Sequence, residues 1–578
     1  MRKYCYAILF LCFSVVSRAQ QDQDSAWIKE HYTKAEITIT MRDGVKLFTT
    51  VYAPTDASEK HPILMMRTPY SCAPYGKDFS GRLWAGHWKY YARENYIIVI
   101  QDVRGRWMSE GEFVDVRPFN KDKKTNTDID EASDTWDTID WLVKNQSNNN
   151  GNVGVFGISY PGFYASMAAA CGHPALKAVS PQAPVTDWFM GDDFHHNGAF
   201  FQMDGFGFYS GFGKPRPKPT TVGSYGFDFP VLDNYKFYLE STPPKLMEYM
   251  HHSVQFWKDM YAHPDLDDWW KSRNARTAMY DIKPAMLVVG GLFDAEDCFG
   301  AWNLYKAIEK QNPGASNRLV MGPWSHGQWS GRDGNSMGHV RFGSNTSIWY
   351  QNNIEIPFFN YYLKGKGDKP NIAEANIFMT GENKWKQFDQ WPPANLNKTR
   401  EYMTDDQRFA NRRPDVLTFQ TFPLEEDLTL AGPLTANLKV SISGTDADFV
   451  VKIIDVFPDK FSYPESTGRN DYPMGGYEML VRGEIMRGKY RNSFEKPEPF
   501  KPGKIETVNF TLPDIAHTFK KGHRLMIQVQ SSWFPLADRN PQQFMNIYTA
   551  KPEDYKKATI RIYHDSQNVS SVFLPILR

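Results

Sequence analysis

Three side chains with chemistry to offer follow three apolar runs, in the order serine, acid, histidine. Ser159 closes the run Asn152-Val-Gly-Val-Phe-Gly-Ile-Ser159 and precedes the small-residue stretch Phe163-Tyr-Ala-Ser-Met-Ala-Ala-Ala170. Asp294 follows Met286-Leu-Val-Val-Gly-Gly-Leu-Phe293, and His326 follows Arg318-Leu-Val-Met-Gly-Pro-Trp-Ser325. A serine hydroxyl is a weak nucleophile until a histidine takes its proton and an acid fixes the tautomer of that histidine. At a sharp strand-to-helix corner its hydroxyl stands exposed, and the first helix amides face the atom under attack. Each residue alone has a plainer reading: a helix N-cap serine, a loop-capping aspartate, a satisfied loop histidine. The order and the three strand-end positions together favour a catalytic triad.

The usual corner reads Gly-x-Ser-x-Gly, but here Pro161 stands two places after the serine and Gly162 three. A strict copy occurs at Gly334-Asn-Ser336-Met-Gly338, in a polar loop with no strand before it and no apolar helix after it. Context decides for Ser159. An oxyanion formed there needs donors. The Tyr160 amide is one by position. The Tyr70 phenol, in Met65-Met-Arg-Thr-Pro-Tyr70, is a second candidate, with a packed aromatic as the alternative.

The elements that must position these groups alternate between strand and helix. Ala35–Met41 and Val45–Tyr52 around Arg42-Asp-Gly44 read as a hairpin. Strands are predicted at Pro62–Arg67, Tyr96–Val103, Leu176–Ala183, Pro284–Gly290 and Arg318–Met321. A helix near Ile129–Asn145 presents Trp136, Ile139 and Val143 on one face. This pattern predicts an α/β-hydrolase domain with a mostly parallel sheet, split between residues 20–186 and 282–390. Residues 187–281 are crowded with Phe, Tyr, Trp, Met and His and read as an inserted helical cap. From 391 to 578 short β-branched segments predict a C-terminal β-sandwich of jelly-roll type.

With 578 residues and no net charge, the chain is too long for one core and gives no sign of a nucleic-acid partner. Residues 1–19 carry Arg2 and Lys3, an apolar stretch to Val16 and Ser17-Arg-Ala19 before Gln20. That is the pattern of a secretory signal and predicts a periplasmic or secreted protein, with no membrane contact once the signal is cleaved. Cys72, Cys171 and Cys298 would remain, too few for a disulfide framework. The triad needs no cofactor. Asp192, Asp193, His195 and His196 are donors a metal could use, but no paired spacing such as His-Glu-x-x-His supports a metal site.

Arg67-Thr-Pro-Tyr70, Asp102-Val-Arg-Gly105 with Ser109-Glu-Gly111, Gly157-x-Ser-Tyr-x-Gly162 and Gly-Pro-Trp-Ser-His326-Gly resemble the hydrolase family of bacterial cocaine esterase, glutaryl-cephalosporin acylases, X-Pro dipeptidyl peptidases and α-amino-acid ester hydrolases. The resemblance covers nearly the whole chain beyond residue 19 and carries the displaced glycine as a family trait. It implies that Tyr70 is the side-chain oxyanion donor. Trp188-Phe-Met-Gly-Asp192-Asp193 and Asp294-Ala-Glu296-Asp297 are similar to the α-amino-acid ester hydrolases in particular. By that resemblance Asp193, Glu296 and Asp297 hold the substrate's ammonium, and the acyl groups of small esters and β-lactam-type amides are cleaved or transferred. It also implies an aromatic acyl pocket, and tetrameric relatives suggest the arm Gln20–Tyr32 as a contact. Physically, clustered carboxylates repel one another and a cationic amine relieves them. Glu296 and Asp297 could instead be a solvated helix start, and Asp192 a cap for the first helix of the insertion. A glutaryl-type acylase, a general carboxylesterase and a dipeptidyl peptidase remain alternatives. So does a surface or glycan-binding protein with a vestigial hydrolase part, against which the intact triad argues.

Overall fold

The computed structural model describes residues 22–403, 408–410, 413–464 and 472–578; the predicted signal at 1–19 lies outside them. Ten strands form the main sheet: β1 (Tyr32–Thr40), β2 (Lys46–Pro54), β3 (His61–Thr68), β4 (Ile97–Asp102), β5 (Asn149–Ser159), β6 (Leu176–Pro184), β7 (Ala285–Gly291), β8 (Asn317–Gly322), β9 (Ala375–Met379) and β10 (Lys384–Phe388). Their order is β1-β2-β4-β3-β5-β6-β7-β8-β9-β10. The strands from β4 to β9 in that order run parallel, and the pairings β1–β2, β2–β4 and β9–β10 are antiparallel. β3, β4 and β7 are buried along their whole length, which is why they read as continuous apolar runs: helices cover both faces.

Helix α1 (Glu131–Asn145) starts at a reciprocal cap, Ser133 N–H to Asp130 and Asp130 N–H to Ser133 Oγ. Its buried face is Ala132, Thr135, Thr138, Ile139 and Leu142. The predicted face was rotated: Trp136 lies half-buried between Arg42 and His173. The reason is polar. Glu131 and Asp134 turn inward to meet the buried guanidinium groups of Arg67 and Arg104, and ion pairing overrides apolar periodicity.

Between β6 and β7 lie five short helices, from Gln202–Gly211 to Asp268–Ser272. Phe256, Trp257, Met260 and Trp270 are buried among them. After β10 the chain leaves the main sheet, and its next strand, Leu396–Tyr402, belongs to a separate unit. That unit is two five-stranded antiparallel sheets, whose apolar faces share one core. Residues 22–31 are helical and pack on their own chain, with Ile28 buried and Asp24 paired to Arg93.

Candidate active site

Ser159 ends β5 with φ 69° and ψ −129° and begins helix α2 (Tyr160–Ala169). A non-glycine residue there is strained by about 1–3 kcal/mol, the conformation that lifts a nucleophile out of a corner. Two glycines make the corner possible. A Cβ on Gly157 would meet the Pro161 carbonyl at 2.3 Å, and one on Gly162 the Gln182 carbonyl at 2.6 Å. The displaced glycine is thus the point where α2 crosses β6. Ser336, in the strict copy of the motif, sits in a two-residue strand whose next element is its hairpin partner Val340–Arg341, not a helix.

Asp294 lies three residues past β7 and His326 four past β8, at the same sheet end as Ser159. Asp294 Oδ2 accepts from His326 Nδ1 at 2.9 Å, and Oδ1 accepts from the Glu296 and Asp297 amides at 2.9 and 3.0 Å. This leaves His326 Nε2 for the reaction. Burial pushes the imidazole down, but Asp294, then Glu296 and Asp193, hold it up at about 9.

Burial, then Asp193 and Asp297, raises the Tyr70 phenol well above its ordinary value, so it stays a donor. Its ring meets Tyr160, Phe208 and Phe212 edge-on at 5.9–6.4 Å. The Asp102-Val-Arg-Gly motif braces its loop. Asp102 accepts from the Cys72 amide, Tyr75 and the Met108 amide, while Arg106 and Trp107 both donate to the Pro69 carbonyl. The Tyr160 phenol is buried and donates to Asp115 Oδ1 at 2.9 Å. Asp115, which also accepts from Tyr209 at 3.0 Å, was not visible in the sequence. Burial raises it to about 6.

The predicted carboxylates converge. Asp193, at φ 45°, accepts from Trp188 Nε1 at 2.6 Å, and its amide donates to the Glu296 carbonyl at 3.1 Å. One hydrogen bond thereby joins the cap to the loop of the triad acid. Burial, then Glu296, raises Asp193 to about 8. Asp297 is fully buried, and neither of its carboxylate oxygens has a hydrogen-bond partner. Burial and then Asp193 push it well above the usual carboxylate range. Glu296 Oε2 lies 3.6 Å from His326 Nε2. Asp204, on the cap helix Gln202–Gly211, is a further acid the sequence reading missed; burial and Glu296 raise it to about 6.

Asp192 does not cap the first helix of the insertion. Its oxygens accept from Thr186, the Asp187 amide and the Gly300 amide, pinning the insertion to the first turn of Cys298–Gln311. His195 bonds the Trp188 carbonyl and Tyr548, whereas His196 pairs with Glu484, so these residues and Asp193 face separate partners. Cys72, Cys171 and Cys298 are free thiols.

A strained serine at the sheet end that also carries a histidine–aspartate pair, with a helical insertion and a β-rich C-terminal unit, defines a serine hydrolase of the α/β-hydrolase fold. Residues 43–328 match the X-Pro dipeptidyl-peptidase (S15) family and 405–573 the X-Pro dipeptidyl-peptidase C-terminal non-catalytic domain. An α-amino acid ester hydrolase structure is 35% identical, with TM-score 0.85, over 95% of this chain and 97% of that one. An aminopeptidase from the marine sediment archaeon Thaumarchaeota archaeon is also 35% identical, with TM-score 0.86 and the same coverage. Cocaine esterase of Rhodococcus sp. (strain MB1 Bresler) is 26% identical over 94% of this chain and 98% of its own length. The chain belongs to the S15 family of serine hydrolases and is a hydrolase acting on esters.

Proposed function

We propose that this hydrolase selects acyl groups bearing a free α-ammonium. The observation that carries the reading is Asp297: a buried carboxylate with two unpartnered oxygens, beside Asp193 and Glu296. A lone buried charge costs several kcal/mol unless it is paired or protonated. An ammonium seated among the three acids supplies the missing donors and the missing charge.

In this reading Ser159 Oγ attacks the ester carbonyl and its proton passes to His326 Nε2. The oxyanion accepts from the Tyr160 N–H and the Tyr70 O–H. As the carbonyl–oxygen bond breaks, Nε2 returns the proton to the departing alkoxide. Water, or an amine in acyl transfer, then repeats the steps on the acyl-serine. Asp294 orients the imidazole throughout. β-Lactam-type amides with an α-amino acyl group fit the same scheme. Substrate charge also prepares the base: His326 stands at about 9 because Asp294, Glu296 and Asp193 surround it, and a cation among those acids lowers it toward neutrality. The aromatic shell of Tyr160, Trp188, Phe208 and Phe212 suits a phenylglycine or phenylalanine side chain.

Hydrolysis of phenylglycine methyl ester and of its N-acetyl form tests the proposal. The free amine should be favoured by about 100-fold or more in kcat/KM, the scale of a buried charge pair; equal rates overturn it. Residues 1–19 support export of the enzyme, for which the mature N terminus should begin at Gln20.

A further inference from the structure

In the reaction scheme Tyr160 supplies a main-chain donor and a ring surface, but no step uses its hydroxyl. That hydroxyl is nevertheless bound twice by one turn. It donates to Asp115 Oδ1 at 2.9 Å and accepts from the Val116 N–H at 2.9 Å. Val116 is buried and stands at φ 36°. A β-branched residue in the left-handed region is strained and persists only where its surroundings impose it. Here the strained turn sets an acceptor and a donor on a single phenol.

The same carboxylate oxygen serves a second phenol. Tyr209, on the cap helix Gln202–Gly211, donates to Asp115 Oδ1 at 3.0 Å. Asp115 and Tyr209 are both buried. A buried carboxylate depends on its donors. One of these comes from the residue after the nucleophile and the other from the cap. The Tyr160 ring carries the connection further. It meets Tyr70 edge-on at 6.4 Å, and it meets Trp188, whose indole N–H holds Asp193, at 5.4 Å. A tyrosine has few rotatable side-chain bonds, so a hydroxyl pinned at its far end restrains its Cα and its amide. Restraint of that kind matters to catalysis, because a donor misplaced by about 1 Å can cost about 100-fold in rate.

We propose that Asp115 is a positioning residue for the oxyanion hole, and that the cap is coupled to the hole through it. Asp115 acts through Tyr160 and not on the reacting atoms. Its carboxylate holds the Tyr160 hydroxyl, and with it the Tyr160 N–H, where negative charge develops. Tyr209 supplies its share of the hydrogen bonding only when the cap helix is seated. A cap lifted from that seat removes one of the two phenols from Asp115 and loosens the hole. The cap thus contributes to the chemical step as well as to the wall of the pocket.

The inference rests on the reading of the Tyr160 N–H as an oxyanion donor. Tyr209→Phe, Tyr160→Phe, the double variant, Asp115→Asn and Asp115→Ala are compared on phenylglycine methyl ester. Binding of phenylboronic acid is measured alongside, since its boron bonds Ser159 Oγ and places an oxygen of the tetrahedral adduct in the hole. The Tyr→Phe exchanges keep both rings, so these variants should fold. Tyr209→Phe should lower kcat about tenfold, leave KM within about twofold and weaken phenylboronic acid about tenfold. Tyr160→Phe should do at least as much. The double variant should lose no more than the larger single loss, because both hydroxyls act through Asp115. Asp115→Asn keeps an acceptor and should retain more kcat than Asp115→Ala. A Tyr209→Phe enzyme with unchanged kcat, or with only a raised KM, overturns the coupling, as do additive losses in the double variant. If Tyr160→Phe lowers kcat but leaves phenylboronic acid untouched, the oxyanion reading of Tyr160 fails and the proposal with it. The amino-group preference is a separate readout, the ratio against the N-acetyl ester, and should stay as in the wild type.

Discussion

Two groups of acids in this molecule are built on opposite principles. In the C-terminal unit Asp448 and Asp538 close on Arg487, which donates twice to each at 2.7–3.2 Å. Asn540 and the Lys489 amide satisfy Asp446 beside them. Beside the triad, Asp193, Glu296 and Asp297 have no lysine or arginine paired with them among the described residues; Asp193 holds one indole N–H and Asp297 nothing. Burial raises acids in both groups, Asp446 and Asp538 to about 6 and Asp193 to about 8. The first group carries its own cation and is finished when the chain folds. In the function proposed above, the second is completed by a cation from outside.

The contrast can be tested by variants whose effects should diverge. Ser159→Ala should remove about 10⁵-fold or more of the turnover and all labelling by a fluorophosphonate, yet leave binding of phenylglycine intact. Loss of that binding would mean the acids do not hold the amine by themselves. Arg487→Met should cost about 3–5 kcal/mol in denaturant unfolding, because it strands two carboxylates. Its preference for free over N-acetylated amine should be unaltered. Asp297→Asn should act in reverse: about 100-fold lower kcat/KM on the amino ester, little change on the N-acetyl ester, and a higher Tm for the free enzyme. A lower Tm would show that Asp297 has a partner in the folded protein and would break the comparison.

Proton linkage supplies two finer tests. Asp193 binds its proton more tightly folded than unfolded, so its contribution to stability is complete below about pH 4 and is lost as pH rises through about 8. Thermal melts should therefore fall across that window, and phenylglycine should offset the fall; Asp193→Asn should flatten it. The smallest effect concerns His326. In kcat/KM, which reports the free enzyme, the basic limb should rise toward about 9. In kcat, with the ammonium bound, it should rise about one pH unit earlier. Coincident limbs would mean that substrate charge does not reach the imidazole.

Much of this site was legible because its pieces are local. A strand followed by a glycine corner and small residues marks Ser159, and two further strand ends mark Asp294 and His326. What escaped depends on contacts between distant segments. The grouping of Asp193 with Glu296 and Asp297 came from resemblance alone; the backbone bond from the Asp193 N–H to the Glu296 carbonyl, which joins their two loops, spans about a hundred residues. Asp115 looks like any loop aspartate until Tyr160 and Tyr209 are folded onto it. The face of α1 was misjudged for the same reason: Arg67, far upstream, turns Glu131 inward. Apolar periodicity reports only the solvent-averaged surroundings of a helix and is blind to a charge arriving from another strand.

Arg482 is translated about 190 residues after the loop it holds. Its clasp on the Leu292 carbonyl holds the loop that presents Asp294, and the cap is fastened likewise through His195 to Tyr548 and His196 to Glu484. A chain made from its N terminus acquires these fasteners late, after serine, acid and histidine have all been translated. Domains tend to fold as they emerge, so the nascent hydrolase part would hold a nucleophile without a settled acid loop or cap. The clasp and the cap's fasteners can therefore form only once nearly all of the chain has been made.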